Sequence, residues 1–179
     1  MKPTTVLVHG AFAESSSWEG VIDPLLDAGH PVIAAANPLR GLASDAAAVA
    51  DVVRAVDGPV VLAAHSYGGA VISNVPAGAG EIVGLVYACG FAPEPGEHCF
   101  QLAGMFPGSM LGEETARPVP RSDGTTDLYV APDSFHDIFC QDVPAPQAAL
   151  MAITQRPATQ EALTEPCGEP SGARCPRGS

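Results

Sequence analysis

Four short, almost wholly apolar runs, at residues 4–9, 31–36, 60–65 and 82–88, alternate with stretches whose apolar residues recur at helical spacing. Parallel strands need long crossovers, so this alternation predicts a parallel sheet covered by helices. Ser16 or Ser17 is expected to cap a first helix that carries Trp18, Val21, Ile22, Leu25 and Leu26 on one face and stops at Gly29. Ser44 is expected to cap a second, with Val49, Val52, Val53 and Val56 on its stripe and Gly58-Pro59 as its stop. The four runs carry almost no charge, which predicts burial on both faces of the sheet.

The third run leads straight into Ala64-His65-Ser66-Tyr67-Gly68-Gly69 and then into a helical stretch over residues 67–75. Where a strand turns sharply into a helix, the residues two before and two after the turn must be small for the two elements to pass closely. Ala64 and Gly68 meet that demand, so the segment reads as a G-x-S-x-G turn with alanine at its first position, presenting Ser66 as a nucleophile. The competing reading is an ordinary strand-to-helix turn. Open α/β sheets bind ligands where the strand order reverses, between the loops that follow the first and third strands. Those loops carry His9-Gly10-Ala11-Phe12 and Ser66-Tyr67. The N–H of Tyr67, at a helix start, is the first expected oxyanion donor; Ala11 is its expected partner, with Phe12 second. Gly10, Phe12 and Trp18 are candidate pocket residues.

Val8-His9-Gly10-Ala11-Phe12, with Trp18 downstream, and His65-Ser66-Tyr67-Gly68-Gly69 resemble the α/β-hydrolase superfamily, in particular the bacterial relatives of plant methyl esterases and hydroxynitrile lyases. The resemblance spans residues 4–165 and takes in Phe135-His136, Asp142-Val143-Pro144 and Gln155-Arg156-Pro157. It implies an α/β fold with strand order 2-1-3-4, a hydrolase core at residues 1–92, a lid at 93–165 and an irregular tail, expected to be disordered, at 166–179. Within the lid, residues 126–130 are expected as a strand, and 134–139, 146–155 and 159–163 as helices. The implied chemistry is hydrolysis of a small neutral ester. The lyases carry threonine where this chain has Gly10, which ranks cyanohydrin cleavage third.

The resemblance also implies an acid and a base in the order Ser, Asp, His, after two further strands. Instead, residues 167–179 are polar and rich in cysteine and arginine, so the chain is expected to be C-terminally truncated, as by an out-of-frame reading, and impaired as an enzyme. A non-catalytic hydrolase-like fragment that binds a ligand or partner is the alternative function. His136 follows Asp123, Asp127 and Asp133 in that formal order, but Phe135 and Phe139 mark its segment as an amphipathic lid helix, not a base loop. Glu94 and Glu97 follow the fourth strand, where a minority of the family places the acid; a solvated role is expected here.

Eight basic against twenty acidic residues leave a net charge of −12, which disfavours nucleic acid and anionic membranes as partners. Gly78-Ala79-Gly80-Glu81 has the wrong spacing for a phosphate loop, so no cofactor is expected. The five cysteines are scattered and never in C-x-x-C spacing, which predicts free thiols and no metal site. A start without an apolar signal segment predicts a cytoplasmic protein. With no further strand beside it, the fourth strand should expose an apolar edge at 82–88 through which copies self-associate.

Overall fold

A computed structural model describes residues 2–105, 107–111 and 115–168; the expected tail from 169 onward, with Cys175, lies outside the described residues. The first half of the chain builds a four-stranded, all-parallel sheet from β1 (Thr4–Val8), β2 (Val32–Ala35), β3 (Pro59–Ser66) and β4 (Glu81–Gly90). The strand order is β2-β1-β3-β4, as expected, with Val6 beside Leu62 and Val8 beside Ala64. The crossovers are α1 (Glu19–Asp27), α2 (Leu42–Arg54) and α3 (Tyr67–Ser73). Right-handed crossovers in this order put α2 and α3 on one face and α1 on the other. Val6, Val8, Val60, Leu62 and Ala64 join Val49, Ala50 and Val53 of α2 in one buried cluster.

Burial on both faces holds for β1, where Thr5 and Leu7 are buried along with Val6 and Val8, but not for the other strands. Along β3 the buried residues alternate with half-buried ones, and β4 leaves Val83 48% and Val86 50% exposed. Helix α1 buries none of its residues, and Val21 and Leu26 face outward. The physical reason is coverage: the turn before α1 and α1 itself touch β1 and β2, and among the described residues no element packs over the β3-β4 half of that face.

Both expected serine caps also differ. Residues Ser15–Trp18 form a 3-10 turn ahead of α1, in which the Ser15 hydroxyl donates to the Ala35 carbonyl and neither Ser16 nor Ser17 caps the helix. Helix α2 begins at Leu42 with Gly41 before it, and Ser44 sits inside the first turn, donating to the Gly41 carbonyl. The Asp45 carboxylate accepts the Arg40 N–H at 3.0 and 3.1 Å, closing the turn one residue beyond Ser44.

The second half forms a separate layer over the strand C-termini. It holds α4 (Cys99–Gly104), α5 (Pro132–Phe139), α6 (Ala145–Thr154) and α7 (Gln160–Thr164) around a small antiparallel sheet. That sheet runs β5 (Ala116–Pro120), β6 (Thr126–Val130), β7 (Ala158–Thr159) in order. β6 and the last three helices fall where the sequence places them, within a residue or two. β5 was hidden by Pro118 and Pro120, residues a strand tolerates only at an edge, which is where β5 lies. Cys167, in the segment expected as irregular tail, is buried and exchanges backbone hydrogen bonds with Gly96 and Glu97. Among the described residues no helix is long and apolar enough to cross a membrane.

Candidate active site

Ser66 closes β3 with φ 52° and ψ −126°, a conformation L-residues rarely adopt and one that local packing must enforce. The enforcement is visible on the helix side. A Cβ on Gly68 would lie 2.5 Å from the Val8 carbonyl oxygen, and one on Gly69 would lie 2.3 Å from that of Phe91. The Phe91 N–H in turn donates to the Ser66 carbonyl at 3.0 Å. The requirement for small residues thus extends to Gly69, which the spacing argument missed and the glycine doublet could have signalled.

The loop after β1 is locked against this turn. Buried His9 accepts the Asn37 N–H at Nε2 (3.1 Å), so its proton is on Nδ1, which donates to the Gly10 carbonyl (2.9 Å). The Asn37 side-chain amide donates back to the His9 carbonyl at 3.0 Å. Burial keeps the imidazole below its usual 6.5, so His9 serves as a neutral brace. A Cβ on Gly10 would lie 2.7 Å from Ser66 Cβ, so a threonine there would collide with the serine. Phe12 also turns at positive φ, 61°.

Ala11, Phe12, Ser66 and Tyr67 line one chamber of about 240 Å³, roofed by Ile138 and Phe139 of α5 and Leu163 of α7. Phe12 meets Phe139 edge to face at 6.4 Å between ring centres, joining the loop after β1 to the upper layer. Gly10 abuts Ser66 from behind. Trp18, by contrast, is buried at the end of the 3-10 turn and is not among the residues that line the chamber.

Beneath the chamber runs a polar chain that links the serine turn to the upper layer. The Tyr67 hydroxyl, fully buried, donates to Asp45 at 2.7 Å. Arg40, whose N–H also binds Asp45, sends its guanidinium to Asp127 of β6 and to the Pro157 carbonyl. Arg121 donates to the other Asp127 oxygen at 3.1 Å, and the Thr159 hydroxyl donates to the Arg40 carbonyl at 2.9 Å. Burial raises the Asp45 carboxyl against the pull of these donors, while burial and the Asp45 charge push Tyr67 well above a normal phenol. None of these polar partners was expected from the sequence. The available signal was Asp45 itself, four and eight residues before Val49 and Val53 and therefore on the buried stripe of α2.

The histidines are placed elsewhere. His136 points its Nε2 at the Val143 carbonyl, 2.9 Å away. His65 borders the chamber on an open part of the surface, with its pKa lowered by partial desolvation. Among the described residues no histidine or carboxylate hydrogen-bonds Ser66 Oγ, and none form a cluster able to hold a metal ion. The Cys99 thiol, also in the chamber wall, is pushed up to about 12 by burial and stays protonated.

The fold has close counterparts. A pyrethroid hydrolase from Sphingobium faniae JZ-2 superposes with a TM-score of 0.70 at 22% identity, covering 96% of this chain and 72% of that one. An extracellular α/β-hydrolase from a Paenibacillus species, described as sharing structural and functional homology with tobacco salicylic acid binding protein 2, gives 0.74 at 24% identity over 93% and 71%. Polyneuridine aldehyde esterase gives 0.75 at 18% identity over 94% and 75%. No curated protein sequence matches the chain. Sequence and fold nevertheless converge, because the model of the alpha/beta hydrolase family matches residues 5–177, nearly the whole chain. With that match laid over the 2-1-3-4 sheet and its strained serine turn, this chain belongs to the alpha/beta hydrolase family.

Proposed function

We propose that the chain is an esterase-type hydrolase for a small neutral ester, with Ser66 as nucleophile and the backbone N–H groups of Ala11 and Tyr67 as oxyanion donors. The single observation that carries this reading is the left-handed backbone of Ser66, held by Gly68 and Gly69 and opening into a chamber shared with Ala11 and Tyr67. Ser66 Oγ adds to the ester carbonyl carbon and gives its proton to a solvent water, which returns it to the departing alkoxide; the carbonyl π pair moves to oxygen, where the two N–H groups meet it. Collapse expels the alcohol and leaves an acyl-serine, which water hydrolyses by the same two steps. The layer over the strand ends, residues 93–165, acts as the lid, and the esterase among the structural neighbours agrees with this chemistry.

Proton transfer is the weak step. With no histidine or carboxylate on Ser66 Oγ among the described residues, we expect an impaired enzyme whose residual rate, from binding and oxyanion stabilisation, is about 10³ to 10⁴ above water. The same observation favours a second reading, a non-catalytic ligand-binding fragment. Labelling by a fluorophosphonate separates them: modification at Ser66 that vanishes in Ser66→Ala supports the hydrolase, and a chain that never labels supports the fragment.

A further inference from the structure

Between α4 and the β5-β6-β7 sheet lies a cleft of about 710 Å³, a size typical of small-molecule sites, whereas the chamber at Ser66 holds only about 240 Å³. We propose that this cleft is the distal arm of the Ser66 site and takes an extended, unbranched aliphatic arm of the ester. The inference rests on the hydrolase reading and adds the substrate class.

Continuity supports it first. Phe100, Ala103, Ser109 and Leu111 line both the chamber and the cleft, so the two cavities adjoin and only these four side chains lie between a carbonyl at Ser66 and the cleft. Chemistry supports it second. Among the described residues that line the cleft none carries a formal charge, and its floor is Leu128 and Val130 of β6. A comparable cleft of about 720 Å³ on the other side of Phe12 is lined by Glu14 and Glu19, a poor host for hydrocarbon. The third support is the net charge of −12, which disfavours a free fatty carboxylate and leaves the neutral ester as the form that enters.

Non-hydrolysable 4-nitrophenyl butyl and octyl ethers, titrated calorimetrically into the whole chain, test the arm without any turnover. Four more buried methylenes should tighten octyl over butyl binding roughly 10- to 100-fold. Ala116→Trp, at the end of the cleft away from Ser66, should collapse that ratio to about one; Pro118→Trp repeats the test from the exposed edge strand should the first variant unfold. Equal affinity for the two ethers, or an octyl preference that survives either tryptophan in a folded variant, overturns the assignment. The two readings fail separately: octyl preference without ester cleavage keeps the aliphatic arm and removes the hydrolase, while cleavage of short esters without octyl preference does the reverse.

Discussion

The two faces of the four-stranded sheet are drawn from the same strands and differ in what lies over them. On one, Val6, Val8, Val60, Leu62 and Ala64 are sealed under α2 and α3. On the other, the β3-β4 half shows Val83 and Val86 to solvent, and α1 holds Val21 and Leu26 away from any core. The apolarity of a strand therefore measures what could be buried, while the helices that pack on it decide what is. The serine turn hangs from the sealed side, where close approach is needed, and owes nothing to the open one.

This contrast can be broken by substitution. Leu62→Ala on the sealed face should cost about 2–5 kcal/mol, with Val86→Ala on the open face within about 0.5 kcal/mol, both read from denaturant midpoints. Similar losses at the two sites would mean that the open face is covered in solution. Gly68→Ala should cost about 1–3 kcal/mol through collision with the Val8 carbonyl, while Gly84→Ala, whose Cβ would meet only Val61 Cγ2 at 3.7 Å, should be neutral or mildly stabilising. Thermal unfolding of the pair checks this directly.

Tyr67→Phe leaves the buried Asp45 carboxylate short of a donor and should cost about 1–2 kcal/mol, an effect that Asp45→Asn in the same background should reduce. The pH dependence is gentler. His9 and His65 have folded pKa values below the 6.5 of the unfolded chain, so below pH 6.5 the unfolded state binds protons that the folded state refuses. Stability should fall with pH from about 7.5 to 5.5, by at most about 1.4 kcal/mol per pH unit for each histidine. Asp45, held above 3.8, acts in the opposite sense at lower pH. A stability that rises on acidification to pH 5.5 would contradict the neutral brace assigned to His9.

The smallest effect on stability is expected at the free edge of β4. We propose that two copies pair along it in antiparallel fashion, so sedimentation velocity should show concentration-dependent association. Val86→Lys should weaken association with little change in melting temperature. A unmodified chain that stays monomeric at high concentration would remove this contact.

Much of the fold was legible because it depends on local pattern. The parallel sheet followed from alternation and its strand order from the resemblance, and Ser66 stood out through Ala64 and Gly68. What stayed hidden depends on distant partners. The exposure of α1 reflects a lack of covering elements among the described residues that its own sequence does not encode, whereas exposure of the fourth strand was expected; β5 was masked by its prolines, and the partner of Asp45, though not its place on the buried stripe, becomes apparent only when Tyr67 is seen pointing at it. Trp18 is buried at the end of the 3-10 turn and does not line the chamber, a placement its spacing from Phe12 does not reveal.

Arg40 gives the molecule a property beyond chemistry. Its backbone is fastened to the anchor of the serine turn and its side chain to β6 and to the Pro157 carbonyl just before β7, so it is one of the ties between the two halves. A layer tied at such points does not move as a free flap, and loosening it, by proteolysis or mild denaturant, should be felt at the serine turn before the sheet itself gives way.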